Sequence, residues 1–156
     1  MDADHVEQLL ADLKQPEPAV RDRASSMLWH RWFHQKGAYG AQQLMQAESL
    51  IQSEQVDQAT ILLNDIIQAQ PDFAEAWNRR AVLRYMQSEY WQAIADCQKV
   101  IELVPYHFGA LHGLGLSHSA VGNYTAAIQA FRQALEVQPY ALTNQRMILE
   151  CTAKLG

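Results

Sequence analysis

With 156 residues, 49% of them apolar, the chain has the size of one domain with a continuous core. Seventeen acidic against twelve basic residues leave it mildly acidic, which argues against a broad electrostatic surface for nucleic acid or anionic lipid. No stretch reaches the ~20 apolar residues of a membrane span, and the start MDADHVEQLLADLKQ is acidic and amphipathic rather than basic then apolar, so a cytoplasmic, non-spanning protein is expected. Residues 1–36 are read as a helical extension, one helix from Asp4 to Lys14 and one from Glu17 to Gln35. Pro16 and Pro18 separate them, because proline is tolerated at a helix start and disfavoured inside one. Val6, Leu9, Leu10 and Leu13 make one apolar stripe; Val20, Ala24, Met27, Leu28 and Trp32 make another. The two helices are thus fitted to pack together or onto the next part of the chain, and Gly37 and Gly40 are expected to end the extension.

Residues 37–141 carry a repeat. Pro71, Pro105 and Pro139 recur at a spacing of 34, and each closes a near-copy of one pattern, most fully in the segment from Ala74 to Pro105. The units run over about 40–73, 74–107 and 108–141. Residues 34 apart fall into columns: Ala47, Ala81 and Gly115 in one, Ala59, Ala93 and Ala127 in another, all small. Small residues at fixed offsets let two helices approach closely. Leu63, Cys97 and Phe131 fill a larger apolar column, Ile66, Val100 and Ala134 the next, while Val56, Tyr90 and Tyr124 mark the start of each second helix. A period of this length predicts stacked helix-turn-helix units, none of which buries its apolar face alone. Residues 142–156 read as a final helix that caps the last unit, with Leu142, Met147, Ile148 and Leu149 apolar.

These units resemble tetratricopeptide repeats, with the family's aromatic at Trp77, small residues at Ala81, Gly115, Ala93 and Ala127, and closing prolines. The first unit departs most, having Gln43 where its neighbours have Trp77 and Leu111. The resemblance implies an all-α, right-handed α-solenoid whose first helices line a concave groove for an extended peptide or a helix. It places Leu44, Glu48, Asn78, Arg79, Val82, Tyr85, Gly109, His112, Gly113 and Leu116 along that groove. Relatives that grip the C-terminal carboxylate of heat-shock chaperones use Lys, Asn and Arg at places held here by Leu44, Glu48, Arg79, Gly109 and Gly113. Only Arg79 carries a suitable charge, so the groove is expected to read apolar side chains instead.

Side chains that carry chemistry elsewhere have structural readings here. The resemblance implies that Arg80, in the Asn-Arg run before the small residue, pairs with Asp96 inside its unit, leaving Arg79 to face an acidic group on a partner. Trp77 is expected to be largely buried between its hairpin and the preceding unit. Trp91 occupies a place where the resemblance expects a polar residue, which makes it either a secondary interface or a residue buried against the N-terminal extension. His30 and His34 have a metal-ligand spacing without further ligands, and no nucleophile with its base is visible, so no metal, cofactor or catalytic residue is assigned. The glycine-rich run HFGALHGLGLSHSAVGN lacks the strand-to-helix setting of a phosphate loop. Gly109 and Gly113, four apart, suggest that something approaches the helix backbone closely. Between Tyr106 and Gln145 the only charged residues are Arg132 and Glu136, a surface suited to meet another. The expected function is a protein-interaction module, an adaptor or assembly factor for a protein or peptide partner. The alternative is a structural, self-associating protein whose groove is filled by its own segment. High Gln and low Lys content is similar to short bacterial proteins of the same kind.

Overall fold

Prolines and left-handed residues punctuate the chain at the same interval. The computed structural model describes residues 2–156, and among them every regular element is helical. Two helices, α1 (Asp2–Asp12) and α2 (Pro18–Phe33), precede three hairpins and a last helix. The hairpins are α3 (Gly37–Gln52) with α4 (Val56–Ala69), α5 (Ala74–Met86) with α6 (Tyr90–Leu103), and α7 (Phe108–Ala120) with α8 (Tyr124–Val137); α9 (Leu142–Leu155) is the last helix. Each hairpin turns on a residue with positive φ, Glu54, Ser88 and Gly122, again 34 apart. Each second helix ends at Gln70, Val104 or Gln138, whose backbone is extended because a proline comes next. The fold is an all-α helical repeat.

The small columns are where the helices cross. Ala59, Ala93 and Ala127 are completely buried, as are Leu63 and Phe131. At Gly115 a Cβ would lie 2.5 Å from the Phe131 ring, so glycine there lets the larger side chain of α8 press on the α7 backbone. Asp96, buried in α6, accepts two bonds from Arg80, at 2.9 Å from Nε and 2.8 Å from Nη2, and lies 3.2 Å from Arg84 Nη1. Arg80 also donates to Asn64 Oδ1 in the preceding unit at 2.9 Å, tying two units together.

The two ends of the array differ. On α3 the face formed by Tyr39, Gln42, Gln46 and Ser49 is exposed, whereas Phe73, Ala76 and Leu83, one repeat on, are buried against the previous unit. Among the described residues no helix stacks on that side of the first unit, and Tyr39, Gln42, Gln46 and Ser49 meet water there. At the other end α9 covers Ala127, Ile128 and Phe131 with Met147, Ile148 and Cys151. Its outer face leaves Leu142 and Leu149 exposed, in the columns of Phe108 and Gly115. Gly37 (φ +72°) starts α3, while Gly40 lies inside that helix, buried near Phe73, so the extension ends at Gly37 alone.

The extension does not stack on the first unit. Instead α2 and the residues just after it meet the three loops that come after the closing prolines. Near Pro71, Gln35 Nε2 donates to the Asp72 carbonyl at 3.0 Å, and Lys36 pairs with the Asp72 carboxylate at 2.8 Å, which holds that carboxyl below its usual range. Past Pro105, Trp29 and Trp32 pack on His107 and Phe108. Beyond Pro139, the Arg21 guanidinium lies over the Tyr140 ring at 4.1 Å. Leu9 of α1 and Leu13 just after it join Leu28, Trp32 and Phe108 in one apolar cluster, and Phe33 reaches the core of the first unit. Part of the uncharged surface of the third unit is therefore met by the chain's own α2.

Candidate functional site

Glycines at two successive turns of α7, Gly109 and Gly113, open the α7 backbone towards the groove. Above Gly109 sits Trp29: a Cβ there would lie 2.5 Å from Trp29 Cη2 and 3.2 Å from His107 Cε1. Below Trp29 the packing is fixed by His107, which is completely buried. Its Nδ1 accepts the Ala110 N–H at 3.0 Å, capping α7 as a Ser or Asp does elsewhere. That bond places the ring proton on Nε2, 3.5 Å from Glu75 Oε1. Glu75, also completely buried, accepts from Asn78 Nδ2 at 2.7 Å, and Trp32 stacks on the His107 ring with centroids 4.0 Å apart.

Above Gly113 there is a cavity of about 170 Å³ between α5 and α7. Predicted groove residues Asn78, Val82, Tyr85, Gly109, His112, Gly113 and Leu116 all line it, together with Cys97 at its floor. A Cβ on Gly113 would meet only Cys97 Sγ, at an ordinary 3.4 Å. Burial, aided by the Asp96 charge, pushes the Cys97 thiol up to about 12, so it stays protonated and serves as an apolar floor rather than a nucleophile. His112 Nδ1 donates to the buried Asn144 Oδ1 at 2.6 Å, which fastens this wall to α9. The lining carries no Lys, Arg, Asp or Glu.

A second recess of about 500 Å³ adjoins the first at Asn78 and Val82 and is bounded by Trp29, Glu48, Ile51, Arg79 and Met86. Here the structure corrects the expected charge pattern. Arg79 Nη1 donates to Glu48 Oε2 at 2.8 Å across the groove, so the cation read as available to a partner is paired internally. Leu44 is a further correction, since at 0% exposure it belongs to the first unit's core with Ala47, Leu63 and Phe73 and is not presented to the groove.

Other side chains fall outside the groove. Trp77 is half-buried rather than largely buried. It packs between its own and the preceding unit as expected, but its Nε1 reaches the Pro71 carbonyl at 2.8 Å and Arg80 lies over its ring at 4.9 Å. Trp91, at the start of α6, is 64% exposed, and the N-terminal extension does not cover it. His30 and His34 stack ring on ring at 4.0 Å, with His34 Nδ1 donating to the His30 carbonyl. His107 and His112 bond to different partners, Ala110 and Asn144, and burial lowers the His118 pKa. Among the described residues no group of three or more His, Cys, Asp or Glu is placed to hold a metal, and no helix is long and apolar enough to cross a membrane. The cover over Gly109 was invisible from sequence, because Trp29 and Gly109 belong to no common period. The only signal was the pair of glycines itself.

Comparison with known proteins matches the tetratricopeptide repeat over residues 72–139. A TPR repeat-containing protein of Rhizobium etli is 31% identical over 155 residues, covering 97% of this chain and 74% of its own length. Human superkiller complex protein 3 is 29% identical over 94 residues, 59% of this chain but 6% of that protein. Among solved structures, the first TPR of Spaghetti (RPAP3) bound to the HSP90 peptide SRMEEVD superposes with a TM-score of 0.69 at 16% identity, over 71% of this chain and 88% of that one. The TPR2B domain of yeast Sti1 in an Hsp70 complex gives 0.67 at 19% identity, over 73% and 96%. At those identities the likeness is one of fold.

Proposed function

The chain belongs to the tetratricopeptide repeat family, and from that premise we propose that it is a cytoplasmic protein-interaction module, an adaptor or assembly factor, that takes an apolar segment of one protein partner over Gly113. The observation that carries this reading is the uncharged cavity between α5 and α7. Burying an unpaired charge there costs far more than burying a methyl or a ring, so the site selects against acidic and basic side chains. This sets it apart from the Spaghetti domain, whose HSP90 peptide SRMEEVD is acidic. Arg79, Arg80 and Arg84 are all paired within this chain, to Glu48 and Asp96. Val82 and Met86, 49% and 61% exposed, give the rim an apolar surface for the rest of the segment. No catalytic role is part of this reading.

The experiment is affinity capture from the source cell with wild type and Gly113→Leu in parallel, then titration calorimetry on the captured protein. A leucine is expected to fill the cavity and leave the fold intact, since a Cβ at Gly113 meets only Cys97 Sγ, so a partner retained by wild type and lost by the variant at unchanged melting temperature supports the reading. A partner bound equally by both places the site elsewhere.

A second reading rests on α9, where Leu149 stands exposed in the column in which Ala81 and Gly115 meet the next helix. Self-association through this face makes the protein a homo-oligomer. Sedimentation of Leu149→Lys against wild type tests it: a concentration-dependent mass lost in the variant favours oligomerisation, and a monomer in both rejects it.

A further inference from the structure

The two glycines of α7 present the same backbone opening at positions one helical turn, roughly 6 Å, apart along the helix axis. One is occupied in this structure by an indole: the six-membered edge of Trp29 touches the Gly109 backbone so closely that no Cβ fits. At the other a Cβ would meet only Cys97 Sγ at 3.4 Å, and both glycines line the cavity of about 170 Å³. A dry apolar cavity of about 150 Å³ accepts a benzene ring, so this one has the size of an aromatic side chain. Its walls suit a ring as well. Ala81, Val82 and Leu116 are aliphatic, and the protonated Cys97 sulfur at the floor is a favourable neighbour for a π-face. Tyr85 already makes an edge-to-face contact with Tyr90, at 5.4 Å between centroids, which leaves it one wall of a fixed shape.

We infer that the seat over Gly113 is a site for an uncharged aromatic ring, and that α2 shows how it is filled, with Trp29 on Gly109 as the built-in counterpart of a phenyl or indole side chain on Gly113. The inference deepens the proposed function and rests on it for the identity of the occupant, which is an aromatic anchor of the partner segment. The recess that adjoins the seat at Asn78 and Val82 is bounded by Trp29, so α2 lies beside the site without lining it.

The test uses the full-length, isotopically labelled chain and indole as the probe. Indole is expected to shift the amide signals of Gly113, Val82 and Leu116 saturably, and Gly113→Leu is expected to abolish those shifts. In Trp29→Ala a second set is expected at Gly109 and Ala110. Shifts confined to other regions, or persisting in Gly113→Leu, overturn the inference. So does cyclohexanol binding at Gly113 as tightly as phenol, because that assigns the seat to an aliphatic anchor. Failure of ring binding alongside Gly113-dependent partner capture removes the aromatic anchor and leaves the module reading standing. Ring binding with no Gly113-dependent partner keeps the ring site and removes the groove as the partner site.

Discussion

Gly109 and Gly113 lie on one helix and line one cavity, yet a Cβ on the first would strike the Trp29 ring, whereas a Cβ on the second would meet only Cys97 Sγ. A glycine in a helix interior costs about 1 kcal/mol relative to alanine. At Gly109 the cost is offset inside the chain, because the missing Cβ is what allows the indole to pack. At Gly113 nothing within the chain offsets it. The contrast separates a half of the groove that serves folding from a half left for something outside.

The strongest way to break this comparison is to empty the half that serves folding. Trp32 is buried against His107 and Phe108, so Trp32→Ala is expected to destabilise the fold by about 3–5 kcal/mol in chemical denaturation. A loss below about 1 kcal/mol, the range of ordinary surface changes, would show that α2 is not part of the structural core. Next comes a matched pair. Gly109→Leu forces a side chain into the Trp29 ring and is expected to cost about 1–3 kcal/mol, whereas Gly113→Leu enters free space and leaves the melting temperature nearly unchanged. Equal costs at both positions would erase the distinction.

Smaller effects sharpen it. Gly113→Ala removes the flexibility penalty without a clash, since its Cβ meets only Cys97 Sγ at 3.4 Å, and should raise stability by up to about 1 kcal/mol. A fall in melting temperature would mean that the cavity does not extend to the Gly113 backbone. Glu54→Gly acts outside both halves, at the first hairpin turn with φ of 62°, and is expected to gain about 0.5 kcal/mol by relieving a left-handed conformation. It serves as a control that should leave ligand binding over Gly113 untouched.

The periodic part of this molecule was legible in the sequence. Columns 34 apart located the second helices at Val56, Tyr90 and Tyr124 and the small residues at their crossings, because each depends on contacts repeated in every unit, and the family resemblance added the Arg80–Asp96 pair. The close approach at Gly109 was legible as a need, without its partner. Contacts that occur once were not legible. Trp29 reaches Gly109 across about half the chain, Glu48 takes up Arg79 from the neighbouring unit, and Leu44 sinks into a core that Phe33 closes from α2. None of these can be read from a repeat, since none of these contacts recurs in the other units. Trp77 shows the same limit in depth rather than place, because a polar indole edge bonded to Pro71 and a cation over its ring keep it half-exposed.

The central claim is that the half of the groove over Gly113 is where the partner binds. The most direct measurement places a photo-crosslinking benzophenone amino acid at Val82 on the rim of that half, and separately at Trp91 on the exposed start of α6, and irradiates the source cells. The account predicts an adduct from Val82 that disappears when Gly113→Leu is added, and none from Trp91. An adduct from Trp91 that survives Gly113→Leu, with none from Val82, would contradict it.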